Sequence, residues 1–314
     1  MKTGALPNRR LSMSAVGLGT NYIGGHNIYK NVDERISKDI VRRYILAGGN
    51  FIDTATFYGL GRSEELIGEV IKELGVRDQV VLATKGSFVI EGDYISHDNS
   101  VSFILKAIEK SLKRLQTNYL DLFYIHFPDE KTPKDQIVDA LAQLKRKGII
   151  RAIGVSNFSL KQLKEANRDG HVDVVQDRYH LLNRSLEGEY IDYLKSNKIG
   201  FIPYTPLASG LLTGKYSLSS ELTPRQLKNP LFAAENYESN LKKIEVLKDI
   251  ANKHSVTTSQ VALAWLLTRD FVSAIIPGAK SVEQMLTNIQ SDQLILQPEE
   301  IQLIDQTFKN TVNL

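Results

Sequence analysis

Cysteine is absent from the sequence. Its absence excludes disulfide bonds, thiolate catalysis and zinc sites with cysteine ligands, and it leaves the redox compartment open. Long hydrophobic runs are also absent, because no stretch reaches the roughly 18 apolar residues of a transmembrane helix. The first residues, "MKTGALPNRRLSMS", lack the apolar core of a signal peptide. We therefore expect a cytoplasmic protein that does not insert into a membrane.

An excess of charge of one sign is the third feature that is missing. Lys and Arg number 39 against 36 Asp and Glu, and the net charge of +3 is scattered along the chain. A balance of this kind gives no indication of a nucleic-acid partner or an anionic membrane surface. The 42% of apolar residues is enough for a large core. A length of 314 residues fits either two domains or one large barrel.

What the sequence does contain is a regular alternation of two patterns. Eight apolar, strand-like runs occur at 15–20, 50–55, 80–85, 121–127, 151–157, 173–179, 200–206 and 273–279. Helix-like segments lie between them, among them 34–47, 63–74, 100–115, 134–147, 159–168, 185–197 and 240–268. Nearly continuous apolar runs are typical of parallel strands buried on both faces. The alternation predicts an α/β protein and, with eight units, a (β/α)8 TIM barrel.

The competing fold is a doubly wound sheet in two domains, which requires a G-x-G-x-x-G turn after the first strand. Two stretches come near that pattern, at 17–22 and 59–64, but both lack the third glycine. No linker rich in Pro, Gly or Ser divides the chain. We therefore predict one domain over residues 1–314, with the long stretch 208–239 as a loop inserted after the seventh strand.

Four ionisable side chains follow three neighbouring strand-like runs. The second run ends on Asp53, with Tyr58 in the next loop, the third ends on Lys85, and the fourth carries His126. Each alone has an ordinary explanation: a turn cap, a packed tyrosine, a solvated lysine or a hydrogen-bonded histidine. Together they are better explained by an active site, because the carboxyl ends of barrel strands form the catalytic face.

The segments that carry these residues resemble the motifs of the aldo-keto reductases. They are "FIDTATFYGLGRSEELIGE", "VVLATKG", "YLDLFYIHFPDE", "IGVSNFS", "IPYTPLASGLLTGKY" and "IPGAKSVEQ", which occur in the family's order over nearly the whole chain. The resemblance is to the branch of bacterial reductases from inositol-utilisation operons, relatives of the potassium-channel β subunits. It implies a TIM barrel, the cofactor NADPH, and interconversion of small carbonyl compounds and alcohols.

The family's catalytic tetrad matches Asp53, Tyr58, Lys85 and His126. Carbonyl reduction needs a hydride at carbon and a proton at oxygen, and nicotinamide supplies the hydride. A tyrosine can donate the proton if its anion is stabilised, and we expect the Lys85 ammonium to lower the pKa of Tyr58 for that purpose. Asp53 would hold Lys85 charged and in place. His126 would orient the carbonyl oxygen.

The same resemblance implies a cofactor site on the later strands. Ser156, Asn157 and Gln176 match the group that binds the carboxamide, and Tyr204 matches the aromatic residue that stacks on the nicotinamide ring. A loop that covers the pyrophosphate is expected to contribute Leu207, Ser209, Gly210, Leu211 and Lys215.

The segment 277–288 is expected to set the choice of cofactor. Gly278, Lys280, Ser281, Gln284 and Asn288 match residues around the adenosine phosphate. Ser281 and Gln284 also have the spacing of a helix N-cap, which explains them equally well. Several branches of the family have an arginine where this chain has Gln284, and close relatives often have a basic residue where it has Ser281. We expect NADPH to be preferred, with NADH possible but weaker.

His180 and the aromatic residues near the predicted rim have more than one interpretation. His180 stands where related sequences more often carry a small polar residue, and we interpret it as lying beside the site without a catalytic role. No His, Asp or Glu cluster has metal-ligand spacing. Rim aromatics could line an apolar substrate pocket or simply pack in loops: Tyr22, Tyr29, Phe57, Phe88 and Phe127. A second function class, a nicotinamide-binding redox-sensing regulatory subunit, also remains possible; the substrate and the oligomeric state are not predicted.

Overall fold

The computed structural model describes residues 2–7, 11–92 and 94–309. The predicted domain 1–314 therefore includes Met1, 8–10, Asp93 and 310–314, which lie outside the described residues. Within the described ranges, no helix is both long and apolar enough to cross a membrane.

The elements follow the predicted alternation. The strands are β1 (Thr3–Ala5), β2 (Ser12–Ser14), β3 (Leu18–Gly19), β4 (Phe51–Asp53), β5 (Val81–Gly86), β6 (Phe88–Glu91), β7 (Tyr94–His97), β8 (Leu120–Ile125), β9 (Ile150–Ser156), β10 (Val174–Arg178) and β11 (Gly200–Tyr204). The helices are α1 (Glu34–Leu46), α2 (Arg62–Leu74), α3 (Val101–Arg114), α4 (Lys134–Arg146), α5 (Leu160–Ala166), α6 (Glu189–Ser196), α7 (Pro224–Leu227), α8 (Ala234–His254), α9 (Thr258–Leu267), α10 (Val282–Ile289) and α11 (Pro298–Thr307).

Seven parallel strands form one curled sheet in the order β11-β10-β9-β8-β5-β4-β3. The eighth predicted strand, 273–279, closes it through single parallel bridges rather than a continuous ladder. Val272, immediately before this run, bridges to β11 at Phe201, while Ile275 and Gly278 bridge to Val16 and Gly19 at the other edge. The sheet is thus a closed (β/α)8 barrel, as predicted.

The alternation of side chains along each strand explains where the polar residues lie. Inward-facing apolar residues of the strands form one buried cluster inside the barrel, which includes Phe51, Ala83, Tyr124, Val174 and Ile202. Outward-facing neighbours join a second, larger cluster under the helices. Because successive side chains alternate between the two faces, the residue two positions beyond an inward apolar residue also faces the barrel axis.

That next inward position is polar on five of the strands around the site, at Asp53, Lys85, His126, Gln176 and Tyr204, and on β9 Ser156 follows one inward position later, after Gly154. The opposite end of the barrel is closed by the antiparallel pair β1 and β2. Leu6 and Met13, from this hairpin, belong to the inner cluster. The polar ends therefore meet at one rim only.

Two local features differ from the sequence prediction. The antiparallel hairpin β6–β7 was not predicted; it pairs Glu91 with Tyr94 across a turn that begins at Gly92. The predicted helix 240–268 is divided into α8 and α9, because Ser255 adopts a left-handed backbone with φ 53° and Thr257 starts a new helix with a capping box. The long segment after β11 contains α7 and short 3₁₀ turns.

Candidate active site

Asp53 and Lys85 form a buried ion pair at the carboxyl ends of β4 and β5. The Lys85 ammonium bonds Oδ1 of Asp53 and donates to the Thr54 carbonyl oxygen at 2.8 Å. Gln176 Nε2 donates to the other Asp53 oxygen at 3.0 Å. Burial raises the pKa of Asp53 and lowers that of Lys85, while attraction between the two charges opposes both shifts. Lys85 is fully buried, so it is not a solvated charge at the barrel rim.

Tyr58 begins a 3₁₀ turn whose backbone needs glycine. Gly59 has φ 59° and Gly61 has φ 100°, and a Cβ on Gly59 would overlap the carbonyl oxygen of Gly24. Asn27 clamps the turn from outside: its Nδ2 donates to the Phe57 carbonyl at 2.9 Å and its Oδ1 accepts from the Gly59 amide at 2.7 Å. Gly59 and Gly61 therefore permit the tight bend that presents Tyr58.

The Tyr58 ring lies between the ion pair and His126. The Lys85 Nζ is 5.5 Å from the ring centroid, and the His126 ring is 6.2 Å away at an interplanar angle of 84°. Burial and the Asp53 carboxylate raise the pKa of Tyr58 above its ordinary range. The net shift of this pKa is therefore upward, opposite to the lowering that was expected from Lys85, because desolvation of the phenolate and the Asp53 carboxylate dominate it. Tyr58 keeps its proton over the whole physiological range.

His126 follows β8 and is almost fully buried. Burial, with the nearby Lys85 charge, lowers the pKa of His126 well below its usual value, so the ring is neutral at pH 7. Its Nδ1 is buried and has no hydrogen-bond partner within the described part of the chain. The backbone carbonyl of His126 accepts a bond from Asn157 Nδ2 at 3.0 Å.

Four of the predicted cofactor residues are linked on β9, β10 and β11. Asn157, with a left-handed φ of 61°, donates to Ser156 Oγ at 2.9 Å and accepts from the Tyr204 hydroxyl at 2.7 Å. Ser156 is the parallel-sheet partner of Gln176, which bonds Asp53. The ion pair is therefore linked to this group through Gln176, and the backbone of His126 is linked to it through Asn157.

The predicted pyrophosphate loop follows β11 and bends sharply. Leu207 precedes three left-handed residues, Ala208, Ser209 and Gly210, with φ of 50°, 57° and 90°. Leu211 is buried beneath the loop. Lys215 is exposed, and its side chain lies near Gly210 and over the Tyr216 ring, with Nζ 4.9 Å from the centroid.

Of the five residues predicted in 277–288, Gly278, Lys280, Ser281 and Gln284 lie at the start of α10, at the exposed edge of the rim, and Asn288 is buried near the end of the helix. Ser281 is the N-cap, accepting from the Gln284 amide at 3.2 Å, and Gln284 Oε1 accepts from the Lys280 amide at 2.9 Å. Asn288 Nδ2 donates to the Gly278 carbonyl at 3.3 Å. The helix-cap interpretation of Ser281 is thus correct, and part of the hydrogen-bonding capacity of Gln284 serves the turn.

The aromatic residues of the rim divide into two groups. Tyr22 and Tyr29 contact the Lys280 ammonium, which lies 4.7 Å from the Tyr29 centroid and 6.0 Å from that of Tyr22. Of the other three rings, Phe88 and Phe127 contact His126, and Phe57 stacks on Phe88. Phe88 is 4.3 Å from Phe57 and 4.9 Å from His126, and Phe127 is 5.4 Å from His126. Phe88 and Phe127 therefore form a wall beside the His126 side chain, while Tyr29 is near enough to Tyr58 to contribute to its raised pKa.

His97, on β7, belongs to this wall and was missed in the sequence. Its ring stacks on Phe127 at 5.0 Å and 14°, and meets the Phe88 ring edge at 4.7 Å. The signal that could have found it is the run 88–97, in which two β-like segments are separated by Gly92-Asp93, a typical hairpin pair. Reading that hairpin would have placed Phe88 and His97 opposite each other.

His180 is a residue of the turn after β10. It is buried, and its Nδ1 accepts from the Leu182 amide at 3.2 Å. Burial, with the nearby Arg178 charge, lowers the pKa of His180 to about 3. His180 is therefore neutral at pH 7, and its hydrogen bond with the Leu182 amide stabilises the turn after β10.

Comparison with known proteins gives a consistent result. Residues 15–309 match the family model described as the aldo/keto reductase family. The chain is 32% identical to aldo-keto reductase YhdN of Bacillus subtilis over 316 residues, covering 100% of this chain and 95% of that one. It is also 32% identical to an NADH-specific methylglyoxal reductase of Escherichia coli, covering 92% and 93% of the two chains.

A relative of another kind is a probable voltage-gated potassium channel subunit beta of Arabidopsis thaliana, 32% identical over 96% of both chains. Among solved structures, the glycerol dehydrogenase AKR11B4 of Gluconobacter oxydans superimposes with a TM-score of 0.90 at 29% identity, covering 99% of this chain and 96% of that one.

Proposed function

The chain belongs to the aldo/keto reductase family, and from that membership we propose that it reduces small aldehydes and ketones with NADPH, through a tyrosine acid. As an aldo-keto reductase it is an NAD(P)-dependent oxidoreductase. The observation that carries the finer proposal is the meeting of Tyr58, the Asp53–Lys85 pair and a neutral His126 at one end of the barrel. Fold alone does not support it, since barrels host many chemistries.

The residues on β9, β10 and β11 are chemically suited to a nicotinamide. A carboxamide has one carbonyl to accept a bond and one NH₂ to donate. Gln176 uses its NH₂ on Asp53, which leaves its own carbonyl as an acceptor. Ser156 Oγ accepts from Asn157, which leaves its O–H to donate. The half-buried Tyr204 ring, tethered through its hydroxyl, offers a flat face for stacking. When bound, the nicotinamide supplies the hydride.

In this proposal Tyr58 gives its proton to the substrate oxygen as negative charge develops there. The neutral His126 hydrogen-bonds the same oxygen and aligns the carbonyl. Lys85 then stabilises the phenolate that proton transfer creates, and Asp53, fixed by Gln176, keeps Lys85 charged at that position. The raised pKa of Tyr58 keeps the acid form present before the reaction.

NADPH is proposed as the preferred cofactor because Lys280, the Ser281 hydroxyl and the N-terminus of α10 lie together. A relative of similar identity is NADH-specific by name, so the preference is expected to be modest. Relatives named for methylglyoxal and for glycerol support small oxygenated carbonyl compounds as substrates.

We also propose that the chain belongs to the inositol-operon branch of the family. The same proposal includes one domain over residues 1–314 and a cytoplasmic location.

A redox-sensing regulatory subunit is the second candidate function. It is favoured by the similarity to the probable potassium channel subunit. In that case the bound dinucleotide would change the affinity for a partner protein, and turnover would be slow. The complete tetrad geometry favours the enzyme.

The test is a carbonyl panel assayed with NADPH and with NADH, following the absorbance of the reduced cofactor. The panel contains methylglyoxal, glyceraldehyde, propanal, acetone and benzaldehyde. We expect turnover of at least one aldehyde on the order of the usual enzyme range, ~1–10³ s⁻¹. Tight NADPH binding with no turnover on any compound would instead support the regulatory subunit.

A further inference from the structure

The hairpin β6–β7 brings a histidine to the substrate side of the site. Phe88 and His97 are direct cross-strand partners, so their side chains project from the same face of the hairpin. Phe88 meets the His126 ring edge-on at 4.9 Å, and the hairpin is also tied to the Tyr58 loop by the stack of Phe57 on Phe88 at 4.3 Å. His97 therefore lies in the wall beside the proposed reaction centre.

The polarity of His97 has no evident use in the fold. Its Nδ1 is buried without a hydrogen-bond partner among the residues the structure describes. Its ring stacks on Phe127 and makes an edge-type contact with Phe88. A phenylalanine would satisfy these stacking contacts equally well. The side chain is only half-buried, so the ring edge that carries Nε2 is the part able to reach a ligand.

We propose that His97 is a specificity-determining residue, which hydrogen-bonds a hydroxyl group carried near the reacting carbonyl of the substrate. The inference rests on the proposed function, because it assumes that Tyr58 and His126 bind a carbonyl oxygen. It adds a preferred substrate class: short hydroxylated aldehydes and ketones, ahead of unsubstituted compounds with the same number of carbons.

The distances fit such a substrate. Phe88 lies 4.9 Å from His126 and 4.7 Å from His97, so the two imidazole rings are no more than about 10 Å apart. Each hydrogen bond spans ~2.8–3 Å, which leaves at most about 4 Å between the two substrate oxygens. At ~1.5 Å for each bond, a carbonyl oxygen and a hydroxyl oxygen on a chain of two or three carbons lie within that distance.

The charge state of His97 selects among oxygenated groups. Burial lowers the pKa of His97, although the Asp129 carboxylate opposes the shift, so the imidazole is neutral at pH 7. A neutral imidazole can donate to or accept from a hydroxyl. It does not provide the positive charge that a phosphate group prefers. The proposal therefore concerns uncharged polyol-type substrates.

The experiment compares glyceraldehyde with propanal, which have the same carbon skeleton with and without hydroxyl groups. We measure kcat/KM with NADPH for the wild type, His97→Leu and His97→Gln. Loss of one neutral hydrogen bond should lower kcat/KM of His97→Leu for glyceraldehyde about 3- to 10-fold. Propanal should change by less than about 2-fold. His97→Gln keeps a polar group at the same reach and should restore most of the preference.

The control is Tyr94→Ser, at the exposed end of the same hairpin, which should change neither substrate. Equal losses on both aldehydes in His97→Leu, or an unaltered ratio between them, would overturn the role of His97 and leave the proposed function standing. Failure of the wild type to reduce either aldehyde, or any compound of the panel, would overturn the proposed function and this inference together.

Discussion

Two parts of the barrel rim differ in their exposure to solvent. One is the ion pair with its glutamine partner, and the other is the segment at the start of α10. Asp53, Lys85 and Gln176, here termed the strand-end cluster, are each at most 2% exposed. Residues 278–284, the distal segment, include exposed Gly278, Lys280 and Gln284. The strand-end cluster is held by parallel strands of the barrel, whereas the distal segment is held by a helix cap and tyrosine rings.

This difference in exposure indicates how strongly substitutions in each part should affect catalysis and cofactor preference. A charge pair that is removed from water is stabilised by fixed partners, and deleting one partner leaves the other unpaired in a medium of low dielectric constant. An exposed cation is screened by salt and by water, so its contribution to binding is small. Chemistry is therefore expected to depend on the strand-end cluster, and cofactor preference on the distal segment.

The largest effect is expected at Tyr58, which contacts the strand-end cluster. Tyr58→Phe removes the only group proposed to donate the proton, so carbonyl reduction should fall by ~10²–10⁴-fold. NADPH binding should persist, because the cofactor is assigned to other strands. Steady-state turnover and a fluorescence titration of the cofactor measure the two properties separately. A variant that keeps more than about a tenth of the wild-type rate would remove Tyr58 from the acid role.

The next effect tests the ion pair. Lys85→Met leaves the Asp53 carboxylate buried without its counterion, so we expect loss of most activity and a decrease of about 3 kcal/mol in the free energy of unfolding. It should also shift the pKa of the catalytic acid upward in the pH–rate profile. Asp53→Asn should do less, because its amide oxygen still accepts from Lys85. The measurements are the activity of both variants, its dependence on pH, and their unfolding in urea. A pH–rate profile of Lys85→Met like that of the wild type would contradict the proposed role of Lys85.

A smaller effect is expected in the distal segment. Lys280→Met should weaken NADPH binding while leaving NADH almost unchanged, since Lys280 is proposed to meet the adenosine phosphate. A hydrogen bond to a charged group is worth roughly 1.5–3 kcal/mol, or ~10–150-fold in affinity, and exposure places this one near the lower limit. Added salt should weaken NADPH binding more than NADH binding. Equal losses for both cofactors would mean that Lys280 shapes the loop instead.

The smallest effect at neutral pH is expected at His180, which is buried like the strand-end cluster. Its folded pKa of about 3 lies below the unfolded value of ~6.5, so the unfolded state binds more protons between these pH values. The wild type should therefore lose about 2 kcal/mol of stability between pH 7 and pH 5 through this group. In His180→Asn, whose oxygen can accept from the Leu182 amide, that part of the loss should disappear. Urea unfolding at both pH values measures the difference.

Much of the strand-end cluster could be predicted from the sequence, because strand periodicity is short-range. An apolar run followed by one polar residue places that residue at a strand end, and this holds for Asp53, Lys85 and Gln176 alike. The hairpin β6–β7 was not recognised, since its residues contribute little to the core. The break at Ser255 was missed as well, although Thr257 and Gln260 carry a cap signal, because no glycine or proline separates the two helices in the sequence.

The alternation of strands and helices, the barrel class and the residue types at the rim can all be predicted from local spacing along the chain. The pKa values and the contacts of those residues depend instead on how the whole chain packs. The pKa of Tyr58 rises instead of falling, because desolvation depends on everything packed around the phenol. His97 meets Phe127 and Phe88 only because a hairpin folds across the ends of β5 and β8. Burial and contacts between distant segments are sums over the whole fold, and no local pattern contains them.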